Sequence, residues 1–234
     1  MTHWLASGGG RAALMNANRL VRMTDEAEGE ILRDANHTMI RVGEGPADTL
    51  PAPVLPAPGP AVPGWQQQSP PDVIGAWTRL RVAGFLASRG DWDGVVCVIE
   101  NGVSHWIHIS AQEAVSCQSF LTPRLITALC GAAVPSSDAM ADSLSRPERL
   151  AAHLRAAQVG NDPAGITGHM IGAELAGARP YWLGQQVAII AGKADAAAWT
   201  AALSAQGVPC SIQDADDMLA AGLAALGEAS GLSD

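Results

Sequence analysis

The sequence of 234 residues predicts an α/β fold, and three observations carry that reading. Val95-Val96-Cys97-Val98-Ile99 is an unbroken apolar run, the pattern of a strand covered on both faces. Two further strand-like runs follow it after short polar turns, as a meander. The chain then closes on alternating helices and strands, an αβαβα ending with strand 186–191, helix 195–206, strand 208–213 and helix 214–227.

Residues 3–43 read as a short first half. A strand near Trp4-Leu5 leads through a glycine turn to strands at Ala12–Met15 and Leu20–Met23. Thr24 to Asp34 reads as an acidic surface helix and His37 to Val42 as a strand. From Pro46 to Pro71 the chain holds nine of its fifteen prolines, so this segment is expected to run extended without regular secondary structure. A helix at about 74–88 ends the first lobe, expected over 1–88, and the second covers 89–234. There, Asn101-Gly102 turns the 95–99 strand into Trp106–Ser110, and Ala111-Gln112-Glu113 turns that into Ala114–Phe120. Thr122-Pro123 supplies an N-cap and a first-turn proline for a helix over 122–132 carrying Leu125, Ile126 and Leu129. Ser145-Arg146-Pro147-Glu148 reads as a capping box opening a helix with Leu150, Leu154 and Ala157 on one face. Asp162-Pro163 opens the next, where Gly168, Gly172 and Ala176 make a flat stripe suited to packing against another helix or to ligand contact.

Composition narrows the function classes. Charged residues make up 16% and hydrophobic ones 48% of the chain, as in an ordered globule. The net charge of −9 argues against a nucleic-acid backbone or an anionic membrane as partner, and an anionic small ligand would need a local basic site. Cys97, Cys117, Cys130 and Cys210 lack CxxC spacing and read as reduced core residues. The N-terminus has no basic start with an apolar core and no stretch approaches 18 apolar residues, so the expected location is cytoplasmic. The oligomeric state is left open, a homo-oligomer included.

A meander followed by a helix is how each ribonuclease H-like half of the actin-like, sugar-kinase superfamily begins, with phosphate held in the turn between the first two strands. The residues extend the likeness. Ile99-Glu100-Asn101-Gly102-Val103-Ser104-His105-Trp106 and Phe120-Leu121-Thr122-Pro123-Arg124-Leu125 resemble the P-G-T-H-S-K-W loop and F-M-T-G-E-L motif of the 2-dehydro-3-deoxygalactonokinase (2-keto-3-deoxygalactonate kinase) family. Gly168 to Leu175 is similar to its S-G-L-L-I-G-A-E-L helix, and Val187 to Gly192 to its strand-and-glycine segment. Pro63-Gly64 and Pro71-Asp72-Val73-Ile74 resemble P-G-L and P-D-V-M, but the R-G-E-E-T-Q that should follow is Gly75-Ala76-Trp77-Thr78-Arg79-Leu80. The resemblance implies a first lobe shortened on the substrate side and, for an active member, ATP, Mg²⁺ and a small-molecule sugar acid.

Phosphoryl transfer needs donors for the phosphates, carboxylates for Mg²⁺ and a base near the acceptor hydroxyl. Ser7, Gly8, Gly9 and Gly10 lie where the family has its first phosphate turn, although a plain hairpin would use three glycines equally well. The family aspartate there has no counterpart. In the second loop Asn101, Gly102 and Ser104 are candidate phosphate donors, Gly192 joins them after its strand, and His105 replaces the family lysine. Glu100 is the candidate catalytic acid, with a solvated turn residue as the plain alternative. Thr122 and Arg124 are candidate substrate contacts, Arg124 being able to grip a carboxylate or phosphate but not to act as a base. No metal site is expected: His105 and His108, three apart on a strand, point to opposite faces, and His153 and His169 read as isolated helix residues. Two functions stay open. One is an ATP-dependent kinase for a 2-keto-3-deoxy sugar acid; the other is a catalytically inactive relative serving in binding, regulation or structure. The missing charged residues favour the second, while the family remains the best description.

Overall fold

The computed structural model describes residues 3–32 and 37–233. It contains two compact units: Met1–Asp93 with Ile109–Ser116 and Ala215–Asp234, and Gly94–His108 with Cys117–Asp214.

In the first unit, β1 (His3–Gly8), β2 (Arg11–Asn16) and β3 (Arg19–Asp25) form the meander. Gly9 and Gly10 close the β1–β2 hairpin, with Gly8 paired to Arg11. Both have positive φ, +61° and +80°, which a two-residue hairpin turn of this hand requires. Helix α1 (Glu26–Leu32) starts two residues later than the expected Thr24 because Thr24 and Asp25 still belong to β3. Asp25 accepts the Glu28 N–H at 2.8 Å, as an N-cap does; the expected end at Asp34 lies outside the described residues. Then β4 (Thr38–Val42) pairs parallel to β1.

The proline-rich segment is extended, as expected, but not irregular. It contributes β5 (Asp48–Thr49), β6 (Ala52–Pro53), β7 (Ala61–Val62) and β8 (Trp65–Gln68), and β9 (Pro71–Ile74) pairs with β8. Proline is tolerated because β6 and β9, which carry Pro53 and Pro71, sit at sheet edges. Each proline also removes a donor and leaves a carbonyl in surplus. Fully buried Arg79, from helix α2 (Ala76–Leu86), supplies the missing N–H groups: Nε to Val54 O, Nη2 to Pro53 O and Nη1 to Pro63 O, each at 2.9 Å, with Nη1 also 2.7 Å from Asp48.

The second unit repeats the plan. β10 (Gly94–Glu100), β11 (Val103–Ser110) and β12 (Glu113–Phe120) adjoin in the expected order, although the far ends of β11 and β12 group with the first unit, where Glu113 and Ala114 pair with β6. Helices α3 (Thr122–Ala128), α4 (Ser137–Ser145), α5 (Leu150–Val159), α6 (Pro163–Gly177) and α7 (Arg179–Trp182) follow. Next come β13 (Val187–Ala191), parallel to β10, α8 (Lys193–Ser204), and β14 (Cys210–Asp214), parallel to β13. Counted from each meander, the sheets have the same order, 3-2-1-4-5: β3-β2-β1-β4-β7 and β12-β11-β10-β13-β14. Val95, Cys97 and Ile99 alternate onto the same face as Val187, Ile189 and Ala191, and pack with Ile171, Leu175, Trp182 and Trp199.

Four local expectations change. Helix 122–132 ends by 128, with Cys130 at φ +56°. Ser145 ends α4 instead of capping the next helix, and a 3₁₀ turn at Pro147–Arg149 intervenes with no side-chain cap. Helix α4 itself was not anticipated; Ser136 caps it, accepting from Ala139 N. Cys130 is exposed, whereas Cys97 and Cys117 are core residues.

Glycine decides where the helices lie. A Cβ on Gly168 or Gly172 would fall inside contact distance of Ser136 O or Met140 O, so the stripe on α6 is a seat for α4. Helix α9 (Ala215–Ala229) belongs to the first unit, so the chain does not divide by one cut at 88/89. Gly84 and Gly222 bring the α2 and α9 backbones together, and Leu219, Leu223 and Leu226 pack with Trp4, Ile40 and Leu80. Among the described residues no helix is long and apolar enough to cross a membrane.

A helical Gly→Ala change ordinarily stabilises by about 1 kcal/mol. Gly222→Ala should reverse that sign and cost about 1–3 kcal/mol, because the new methyl overlaps Leu80 O. Gly90→Ala, where a Cβ meets nothing within 4 Å, should stay within about 0.5 kcal/mol. Urea unfolding of the two variants checks this; equal stabilities would show that the α2–α9 contact yields.

Candidate functional site

Turns after the first strand of each unit hold most of the candidate residues. In the second unit, Asn101 and Gly102 have φ of +52° and +78° and join β10 to β11 as a tight hairpin. Arg124, exposed on α3, leans on this turn. Its backbone N–H donates to Gly102 O at 3.1 Å, and its Nη2 lies 3.4 Å from Asn101 O. The structure therefore brings Asn101, Gly102 and Arg124 together, with Glu100 immediately before them at the end of β10.

Ser104 and Thr122 take a different place. Both are buried, and both turn toward a residue that the sequence reading quoted in a motif without giving it a role. Glu174, on α6 and 2% exposed, accepts at a single oxygen, Oε1, from Ser104 Oγ (2.8 Å), Trp106 Nε1 (2.9 Å) and Trp199 Nε1 (2.9 Å). The Thr122 hydroxyl approaches the same carboxyl, while Oε2 is left without a hydrogen bond of normal geometry. Burial pushes the Glu174 carboxyl above the usual carboxylate range, and the hydrogen bonds from Thr122, Trp199, Trp106 and Ser104 oppose it. The Ser104 hydroxyl, expected at phosphate, and Thr122, expected at substrate, both meet Glu174 inside the protein. His105 is also buried, with Nδ1 2.7 Å from Ser119 Oγ.

In the first unit the glycine turn has acquired partners of its own. The Gly10 N–H donates to the Glu26 carboxylate at 2.9 Å, so a side-chain anion already stands at one of its donors. Gly8 O accepts from Trp77 Nε1 at 2.9 Å, and a Cβ on Gly8 would overlap Val42 O. Ser7, the first residue of the expected phosphate turn, is fully buried. Gly9 and Gly10 remain exposed.

Gly192 is the exposed N-cap of α8, with open space where a Cβ would stand. Farther along this helix Ala194, Asp195, Ala198 and Trp199 line a cavity of about 330 Å³ with Ile126 and Thr167. Burial raises the Asp195 carboxyl above its ordinary range. In the second loop Glu100 is the only expected residue to carry a carboxylate. That set offers an exposed turn with backbone donors beside Arg124, and one carboxylate.

A duplicated 3-2-1-4-5 sheet with a glycine-bearing turn after each first strand is the ribonuclease H-like architecture of actin-like ATPases and sugar kinases. The chain belongs to the 2-keto-3-deoxy-galactonokinase family, whose model matches residues 53–226. It is similar to a solved structure from Sinorhizobium meliloti described as a 2-dehydro-3-deoxygalactonokinase protein, with a TM-score of 0.82 and 19% identity over 98% of this chain and 99% of that one. Component A of (R)-2-hydroxyglutaryl-CoA dehydratase from Acidaminococcus fermentans shares the fold at a TM-score of 0.53, with 12% identity and 98% of each chain covered. The activator of 2-hydroxyisocaproyl-CoA dehydratase from Clostridium difficile, solved with bound ADPNP, shares it at 0.52, with 8% identity over 99% of this chain and 95% of that one. No curated protein sequence matches the chain.

The raised Glu174 carboxyl sets a pH dependence. The unfolded chain releases this proton near pH 4.3, before the folded chain does, so Glu174 contributes a loss of stability as pH rises from there through its folded pKa. In Glu174→Gln that component is absent. Urea unfolding of both proteins over a pH series should show wild type losing stability relative to the variant on going from acid to neutral pH; a pH-independent difference would show that the carboxyl titrates alike in both states.

Proposed function

We propose that the chain keeps the kinase fold and a capacity to bind anions, while its ATP- and Mg²⁺-dependent phosphorylation of a 2-keto-3-deoxy sugar acid is weak or lost. One observation carries the reading: the Ser104 hydroxyl, matching the loop serine of the family, is buried and donates to Glu174 at 2.8 Å. The Gly10 N–H, bonded to Glu26, supports it from the other turn. Electrostatic stabilisation is the largest resource of phosphoryl transfer, and the two turns offer Glu100, exposed backbone donors and Arg124 in its place. A catalytically inactive kinase-like protein, acting through binding or regulation, is the limit of the same reading. Gly102, Gly192 and Arg124 are then the residues on which phosphate would rest, held by backbone N–H groups and one guanidinium.

The test is ADP release in a coupled assay with ATP, Mg²⁺ and 2-dehydro-3-deoxygalactonate, run beside Glu100→Gln. The expected outcome is turnover far below the usual range of about 1 to 10³ per second, with no further change in the variant. Turnover inside that range, abolished by Glu100→Gln, would overturn the reading and make Glu100 the catalytic acid or base.

A further inference from the structure

Away from both turns, three helices of the second unit bring together Asp142 on α4, His153 on α5 and His169 on α6. We propose that these residues bind a divalent transition-metal ion of the zinc class. Among the described residues they form a group whose three ligand atoms all lie within 4.8 Å of one another. Ligands around tetrahedral zinc stand roughly 3.4 Å apart, a closure that side-chain rotation supplies. His153 Nε2 is 3.2 Å from Asp142 Oδ2. The two imidazoles face each other with centroids 4.6 Å apart and planes tilted by 32°.

Ser143 is what makes this more than a chance cluster. Its hydroxyl is fully buried and lies 3.0 Å from His153 Nδ1 and 2.9 Å from His169 Nδ1. A hydroxyl oxygen has two lone pairs and can accept from both Nδ1–H groups, which leaves both Nε2 atoms as lone-pair donors. That is the support normally found behind metal-bound histidine. The Ala139 carbonyl faces the His169 ring as well. Arg146 pairs with Oδ1 of Asp142 and leaves Oδ2 for the ion. The same atoms taken in order, Asp142, His153, Ser143, resemble a nucleophilic triad, but Ser143 is too buried to meet a substrate. The ion's place is structural: it joins α4, α5 and α6, with water completing its coordination.

The experiment titrates the full-length protein with Zn²⁺ in a calorimeter and with Co²⁺ in a spectrophotometer, beside Asp142→Asn, His169→Gln and Ser143→Ala variants checked for folding by circular dichroism. One ion per chain is expected, with a visible Co²⁺ band of a low-coordinate site and a raised Tm. Affinity should fall tenfold or more in Asp142→Asn, which alters a partly exposed side chain, and in His169→Gln. It should fall about 10- to 100-fold in Ser143→Ala, and binding should weaken on acidification, because protons compete with the ion for its ligands. No binding at about 100 μM Zn²⁺, or binding unchanged in folded Asp142→Asn and His169→Gln, would overturn the proposal.

Discussion

One buried carboxylate organises the second unit. Glu174 lies behind the β10–β11 turn and gathers donors from β11 and α8 onto one oxygen, with α3 approaching through Thr122. Trp106 and Trp199 are large apolar side chains, each carrying one N–H that burial would otherwise leave unsatisfied, a cost of about 1–3 kcal/mol each. A carboxyl oxygen placed between them accepts from both and fixes the depth of each indole. The arrangement also sets the turn above it, because Ser104 is two residues from Trp106 and must share its face of β11. The inward direction of the Ser104 hydroxyl is therefore a consequence of core packing.

Close helix contacts impose the second constraint. Both α4 on α6 and α2 on α9 meet where glycine lets one backbone reach the other, and at that distance no side chain adjusts the fit. These contacts hold helices upon sheets of the same 3-2-1-4-5 order. The proline-rich segment is held by a different means. Its surplus carbonyls converge on Arg79, a residue with five donors and no acceptor.

At the first turn the Gly10 N–H is bonded to Glu26 of the same chain. A fold retained by packing is compatible with many uses of its surface, which is why family membership and activity are separate questions for this chain.

The sequence by itself determined the elements whose pattern is local. The apolar run at 95–99, the Asn101-Gly102 turn, the Asp162 cap and the closing αβαβα were all legible, since strand period, turn chemistry and capping act over a few residues. So was the family, through motifs that fold into the second unit. What the sequence left open were the directions of side chains and the meetings of distant residues. Ser104 and Thr122 carry the same letters whether they face a phosphate or Glu174, and only the packing of α6 against β11 decides. Helix α4 was not read from the sequence, so Asp142 and Ser143 had no assigned place, and His153 and His169, sixteen residues apart on different helices, read as unrelated. Their meeting, like the return of α9 to the first unit, arises from backbone contacts between segments far apart in the chain, and these form only when the whole tertiary structure is in place.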